Sequence, residues 1–264
     1  MTNSSTINSA TQSQLQKMRY QFEICANSVD SAWNGMRAGA HRIELCDGIP
    51  EGGTTPSYGK IALAREVLTA AKLHVIIRPR SGDFLYSECE LLIMEKDIEI
   101  ARQLKADGVV FGCLTPEGEI DVVTMKRLMK KAKGLSVTFH RAFDVCKNPQ
   151  KALRQLIKLG CQRVLTSGQK KTAEDGIELL AELQKRAAGR ISLIAGCGVN
   201  ENNIARIAAE TGIMEFHFSA REPQDSRMLY RNEQVSMGGT VTINEFEYPM
   251  TTERRVRAII EAIE

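Results

Sequence analysis

From Tyr20 onward the chain alternates short runs of β-type residues with longer stretches in which apolar positions recur at helical spacing. That alternation is the pattern of successive βα units and a parallel sheet. The β-type runs fall at 21–26, 42–47, 74–79, 109–112, 136–141, 163–167, 191–196 and 215–219. Eight such units predict a single-domain α/β fold, the (β/α)8 or TIM barrel, with a parallel eight-stranded barrel inside a ring of outer helices. A doubly wound open sheet is the competing arrangement. Its glycine-rich phosphate fingerprint is absent, because Cys25-Ala26-Asn27-Ser28 follows the first run.

The helices announce their ends. Ser87 with Glu90 forms a capping box, Asn148-Pro149 pairs an N-cap with Pro at the first helical position, and Thr172 precedes another helix. Gly39, Gly108, Gly160, Gly189 and Gly212 fall just beyond helix ends, where a left-handed residue is wanted. Residues 1–19 are Ser-, Thr-, Asn- and Gln-rich and read as a polar tail ahead of a barrel domain over 20–264. A long insertion over 222–250 follows the last strand, and a helix from about Thr252 closes the ring. Long loops at that end of a barrel usually shape a site.

Strand alternation separates inward from outward side chains. In Arg42-Ile43-Glu44-Leu45-Cys46, Ile43 and Leu45 suit the helix-facing side, which leaves Glu44 and Cys46 pointing inward. The same phase puts Glu23 and Cys25 inward on the first strand, Thr138 and His140 on the fifth, and His217 and Ser219 on the eighth. Arg78 ends the third strand and Arg141 the fifth. Glu23, Glu44, Arg78, His140 and His217 therefore converge on one interior. Buried charges need partners. Either Glu23, Glu44 and Arg78 neutralise one another in a polar plug, or these groups form a site at the C-terminal face, where barrels place their chemistry.

Composition narrows the partners. Hydrophobic residues are 43% and charged residues 25% of the 264, enough for a sizeable core and without a disorder signature. A formal net charge of +3 with interspersed signs gives no field for nucleic acid or an anionic membrane. Lys130, Lys131 and Lys133 suit a solvated helix C-terminus rather than a binding patch. No segment has the apolar length to span a bilayer, and residues 1–18 lack the apolar core of a signal peptide, so the expected location is cytoplasmic. Seven cysteines at irregular spacing in such a chain are expected to be reduced thiols, available as soft metal ligands or nucleophiles.

Two chemistries fit the inward groups. Gly196-Cys197-Gly198 after the seventh strand and Ser219-Ala220-Arg221 after the eighth stand where barrels commonly bind phosphate. Gly196, Gly198, Ser219 and Ala220 are thus anion-binding candidates, or simply small residues in tight turns. With a small phosphorylated or carboxylated substrate there, Arg78 and Arg141 would neutralise it and His140 would act as base or acid. Glu23 or Glu44 would be its partner, as in an isomerase or lyase that abstracts a proton beside a carbonyl. Alternatively Glu23, Glu44, His140 and His217 are oxygen and nitrogen ligands for a divalent metal.

The chain also resembles the copper homeostasis protein CutC family. The resemblance is carried by Arg42-Ile43-Glu44-Leu45-Cys46, Glu51-Gly52-Gly53-Thr54-Thr55-Pro56-Ser57, Ile77-Arg78-Pro79-Arg80 and Gly82-Asp83-Phe84-Leu85-Tyr86. It continues through Thr138-Phe139-His140-Arg141-Ala142-Phe143-Asp144, Arg163-Val164-Leu165-Thr166-Ser167-Gly168 and Glu215-Phe216-His217-Phe218-Ser219-Ala220-Arg221. The resemblance implies a cytoplasmic barrel that assembles as a homo-oligomer, a dimer or tetramer, and that handles copper. It also implies that the Cu(I) ligands are Cys25 and Cys46. Cu(I) is soft and favours thiolate, which agrees, although free Cys is also a common packing residue. The other cysteines lie in helix, loop or strand-start positions. Cys197 stands where the resembled family more often has a small residue. Ten scattered methionines read as core fillers.

Overall fold

The computed structural model describes residues 20–232, 234, 235, 237 and 244–264. The expected polar tail and part of the expected insertion lie outside the described residues. Strands β1 (Gln21–Ala26), β2 (Arg42–Leu45), β3 (Lys72–Ile76), β4 (Gly108–Phe111), β5 (Ser136–Phe139), β6 (Arg163–Thr166), β7 (Ser192–Gly196) and β8 (Glu215–Phe218) pair in chain order. All neighbours are parallel, and β1 pairs with β8 to close the barrel. The eight-stranded TIM barrel expected from the alternation is the observed fold. Among the described residues no helix is long and apolar enough to cross a membrane.

The outer ring is α1 (Val29–Arg37), α2 (Tyr58–Val67), α3 (Glu88–Gln103), α4 (Val122–Lys131), α5 (Pro149–Leu159), α6 (Ile177–Ala187), α7 (Ile204–Thr211) and α8 (Glu253–Glu261). Ser87 caps α3 with the full reciprocal box to Glu90, and Asn148 caps α5 ahead of Pro149. Thr252 caps α8. Helix α6 starts later than Thr172 suggests, because the Thr172 hydroxyl and Asp175 close a local turn first. Gly39, Gly160, Gly189 and Gly212 have the expected positive φ. Gly108 does not cap a helix. It opens β4, and the left-handed residue after α3 is Lys105.

The helix-facing strand side chains form the core: Ile24, Ile43, Leu73, Val109, Phe139 and Phe216 are all fully buried. Full burial of such a side chain is worth about 1.5–3 kcal/mol each, so the outward face of the barrel is its main adhesive. The inward face is polar at its lower level. Arg42 is buried between Glu23 and Glu215, with its Nη2 2.6 Å from Glu215. Arg163 Nε lies 3.1 Å from the same Glu215 carboxylate, and its Nη1 donates to Ser136 Oγ at 2.6 Å. Two guanidinium groups and two carboxylates thus balance, which is the condition for charges to sit inside a barrel.

After β8 the chain forms an antiparallel ribbon, β9 (Arg221–Asp225) with β10 (Glu247–Thr251). The ribbon is tied to the barrel where it enters and leaves. Thr251 N donates to Ser31 Oγ at 3.1 Å, Asn34 Nδ2 donates to Thr251 O at 3.0 Å, and Thr251 Oγ1 donates to Ser219 O at 2.8 Å.

Candidate functional site at the barrel mouth

Three expected strand-end groups sit just past their strands. β3 ends at Ile76 and β5 at Phe139, so Arg78, His140 and Arg141 belong to the loops above the barrel. The ladder yields there to side-chain bonds: Arg78 N donates to Thr55 Oγ1, and His140 caps the short 3-10 turn Arg141–Val145. These loops, with those after β1, β2, β7 and β8, enclose a cavity of about 590 Å³ at the C-terminal face.

One corner of the cavity holds the thiols. Parallel pairing sets Cys25 beside Glu44, and Cys46 follows two residues on, so the sulfurs of Cys25 and Cys46 lie 3.5 Å apart. Cys46 Sγ also lies 3.3 Å from Ala26 O. Ile76 and Val110 pack against Cys46 and give the pair an apolar floor. The two thiols hold their protons unequally. Cys25 is pulled well below the ordinary thiol value by its hydrogen bond from Cys46, against the effect of burial, with further help from His217 and Arg221. Cys46 is pushed up by the same bond, by burial and by the Cys25 charge.

His217 completes this corner. Its Nδ1 lies 2.7 Å from Glu23 Oε1 and its Nε2 3.7 Å from Glu44 Oε2. Burial opposes a charge on the ring, but hydrogen bonds to Cys25 and Glu23 and the nearby carboxylates raise its affinity for a proton well above normal. Burial also tends to raise Glu23, yet Arg42 and His217 hold that carboxyl far below the usual range. Glu44 goes the other way, pushed up to about 8 by burial and by the charges of Cys25 and Glu23. One donor atom each from Cys25, Glu44 and His217 fall within 4.8 Å of one another, a set able to surround a metal ion.

The predicted groups do not all meet. Arg78 does not neutralise Glu23 or Glu44. Its Nη1 donates to Glu51 O and Gly53 O at 2.8 Å each, and its Nη2 to Gly82 O at 2.9 Å. Arg42 takes the role expected of Arg78. His140 faces Phe84, with ring centroids 4.8 Å apart, across the mouth from the thiols. Arg141 is held by Asp144 at 2.7 Å and by Ser167 Oγ at 3.0 Å. Gly198 and Ser219 line the cavity, whereas Gly196 packs beneath it against Leu165 and His217. Ala220 is buried in a left-handed turn (φ 46°), and its carbonyl accepts Thr252 N.

Sequence reasoning missed three groups and one contact of a fourth. Arg42, Arg163 and Glu215 form the balancing network, and Arg42 was accessible to the alternation rule because it shares phase with Glu44. Arg221, at the start of β9, reaches back so that Nη2 lies 3.2 Å from both Cys25 O and Cys25 Sγ. No local signal marks that contact, which depends on how β8 lies beside β1.

A family model for the CutC family matches residues 20–222. The chain belongs to the CutC family. Among relatives, the family protein CutC of Bacteroides thetaiotaomicron is 66% identical over 93% of this chain and 98% of its own length. The human copper homeostasis protein cutC homolog is 44% identical over 91% of this chain and 88% of its own length. Among solved structures, CutC from Streptococcus agalactiae superposes with a TM-score of 0.72 at 36% identity, covering 76% of this chain and 98% of that one. The thiol corner described above is therefore a feature of a CutC chain in a copper homeostasis family.

Proposed function

We propose that this CutC chain binds Cu(I) as cargo through the thiolates of Cys25 and Cys46, as a cytoplasmic homo-oligomer. The observation that carries the reading is the 3.5 Å separation of the two sulfurs. Metal–thiolate bonds of roughly 2.3 Å in a three-coordinate arrangement separate two sulfurs by roughly 4 Å, so a small outward shift of the side chains admits the ion. The donor set is soft, as Cu(I) prefers, and the apolar floor of Ile76 and Val110 favours low coordination by excluding water.

The chain's own residues prepare the corner. Both sulfurs would bind the ion as thiolates, and the lowered proton affinity of Cys25 reduces the cost of stripping its proton when the ion enters. His217 and Arg221 stand beside the negative charge that two thiolates and one Cu(I) would leave. His217 Nε2 and the Glu44 carboxyl are the nearest further donors.

Anaerobic titration of Cu(I) against a competing chelator tests the proposal. One tight site per chain is expected, lost in the Cys25→Ala/Cys46→Ala protein and kept in Cys197→Ala. Equal affinity in the double variant would overturn it.

A further inference from the structure

The thiols occupy only one corner of the mouth. A cavity of about 590 Å³ is far more than an ion fills and falls within the size range of small-molecule sites, about 300–1,000 Å³. Its opposite side is built from different chemistry. His140 is 4% exposed, and its Nδ1 accepts the backbone N–H of Ala142 at 3.3 Å. That bond places the ring proton on Nε2. His140 lines the cavity, and its Nε2 has no hydrogen-bond partner among the described residues. A buried donor without an acceptor is a standing cost to a fold and is uncommon in native interiors. Burial and the charge of Arg78 push this imidazole down to about 3, so the donor stays neutral at physiological pH.

The surroundings select what would accept that hydrogen bond. Arg78 and Arg141 line the cavity, while Arg221 belongs to the thiol corner. The Arg78 bonds run to neutral carbonyls, which fix the guanidinium and leave its charge in place. Arg78 also stacks over Phe84 at 5.2 Å, the ring that faces His140. On this side of the cavity the carboxylate is Asp144, which is spent on Arg141, Thr166 and the amides of Ser167 and Gln169. Phe84, Val145, Leu165 and Val199 supply apolar walls.

We propose that this side of the mouth binds a small organic anion, an apolar body bearing a carboxylate or phosphate, whose oxygen accepts the His140 Nε2–H while its charge faces Arg78. The site goes beyond copper binding and does not depend on it. The apolar walls take the body of the ligand, and the orphaned donor gains its acceptor. The anion and the thiols would then share one entrance and lie on opposite walls.

Thermal-shift measurements on the full chain test this with benzoate and phenyl phosphate as anionic probes and benzyl alcohol as a neutral control. At ten times its dissociation constant, the preferred anion should raise Tm by about 3–5 °C. Whichever of the two acts identifies carboxylate or phosphate as the recognised group. The shift should persist in Cys25→Ser/Cys46→Ser, which separates it from the copper site, and should vanish in His140→Leu. Because a buried substitution can itself disturb folding, ¹⁵N NMR of the wild-type imidazoles gives a second reading: the His140 Nε2 resonance should move on adding the anion. No shift with either anion, an equal shift with benzyl alcohol, a shift that survives in His140→Leu, or an unmoved His140 resonance would each overturn the proposal.

Discussion

His217 Nδ1 lies 2.7 Å from Glu23 Oε1, on a carboxylate wholly shielded from solvent. The other oxygen of Glu23 meets Arg42, so one side chain holds a guanidinium and an imidazole in place. Removing its charge leaves Arg42 with less compensation in a medium that screens poorly. Glu23→Gln should therefore cost about 3 kcal/mol at neutral pH, read as a lower urea midpoint with an unchanged slope. A loss below about 0.5 kcal/mol, the range of a surface substitution, would show that Glu215 alone suffices for Arg42.

Gly108 and His74 make a tight lock at the foot of the barrel. A Cβ added at Gly108 would come within 2.5 Å of His74 Nε2 and 2.6 Å of its Cε1. Gly108→Ala should cost about 1–3 kcal/mol by overpacking. In a His74→Ala background the same change should cost little, a coupling measurable by a double-mutant cycle. Additive losses would mean that the strain lies elsewhere.

His74 also makes a pH prediction. Burial, with Arg42 and Arg163 nearby, pushes its imidazole down to about 3 from an ordinary value of 6.5. Below pH 6.5 the unfolded chain takes up a proton that the folded chain refuses. The contribution of His74 is therefore complete above pH 6.5 and erodes toward pH 3 by about 1.4 kcal/mol per unit. The stability advantage of the wild type over His74→Gln should accordingly shrink by about 1.4 kcal/mol between pH 7.5 and 5.5. A constant gap across that range would mean that His74 titrates in the fold as it does in the unfolded chain, and a gap that widens toward pH 5.5 would mean that the fold favours its protonated form.

The legible parts of this molecule were those set by short-range rules. β1 falls on its expected residues because alternation, a closing turn and the first helix cap all agree there. Ser87 and Asn148 cap as their local chemistry dictates. The inward phase of Glu23, Cys25, Glu44 and Cys46 follows from period-two geometry and brings the sulfurs together. What escaped depends on long-range or backbone partners. The bonds of Arg78 run to loop carbonyls, which every residue possesses and no side-chain pattern reveals. β9 and β10 carry charges and Pro223 opposite Pro249 instead of an apolar face, so they lack the alternation that marks a strand. Gly108 resembled a helix end because it follows one closely, yet its lack of a side chain serves His74.

The seam between β1 and β8 joins distant parts of the chain. Glu23 and His217 are 194 positions apart in the chain, and Cys25 and Arg221 are 196 apart. Both thiols lie by the first two strands of the barrel, but His217 and Arg221, which add to the pull of Cys46 on the Cys25 proton, come from β8 and the start of β9. A chain truncated before β8 keeps both thiols but lacks His217 and Arg221 beside them. Only closure of the ring by β8 completes the corner, so the surroundings of thiols on the first two strands depend on the last strand of the barrel.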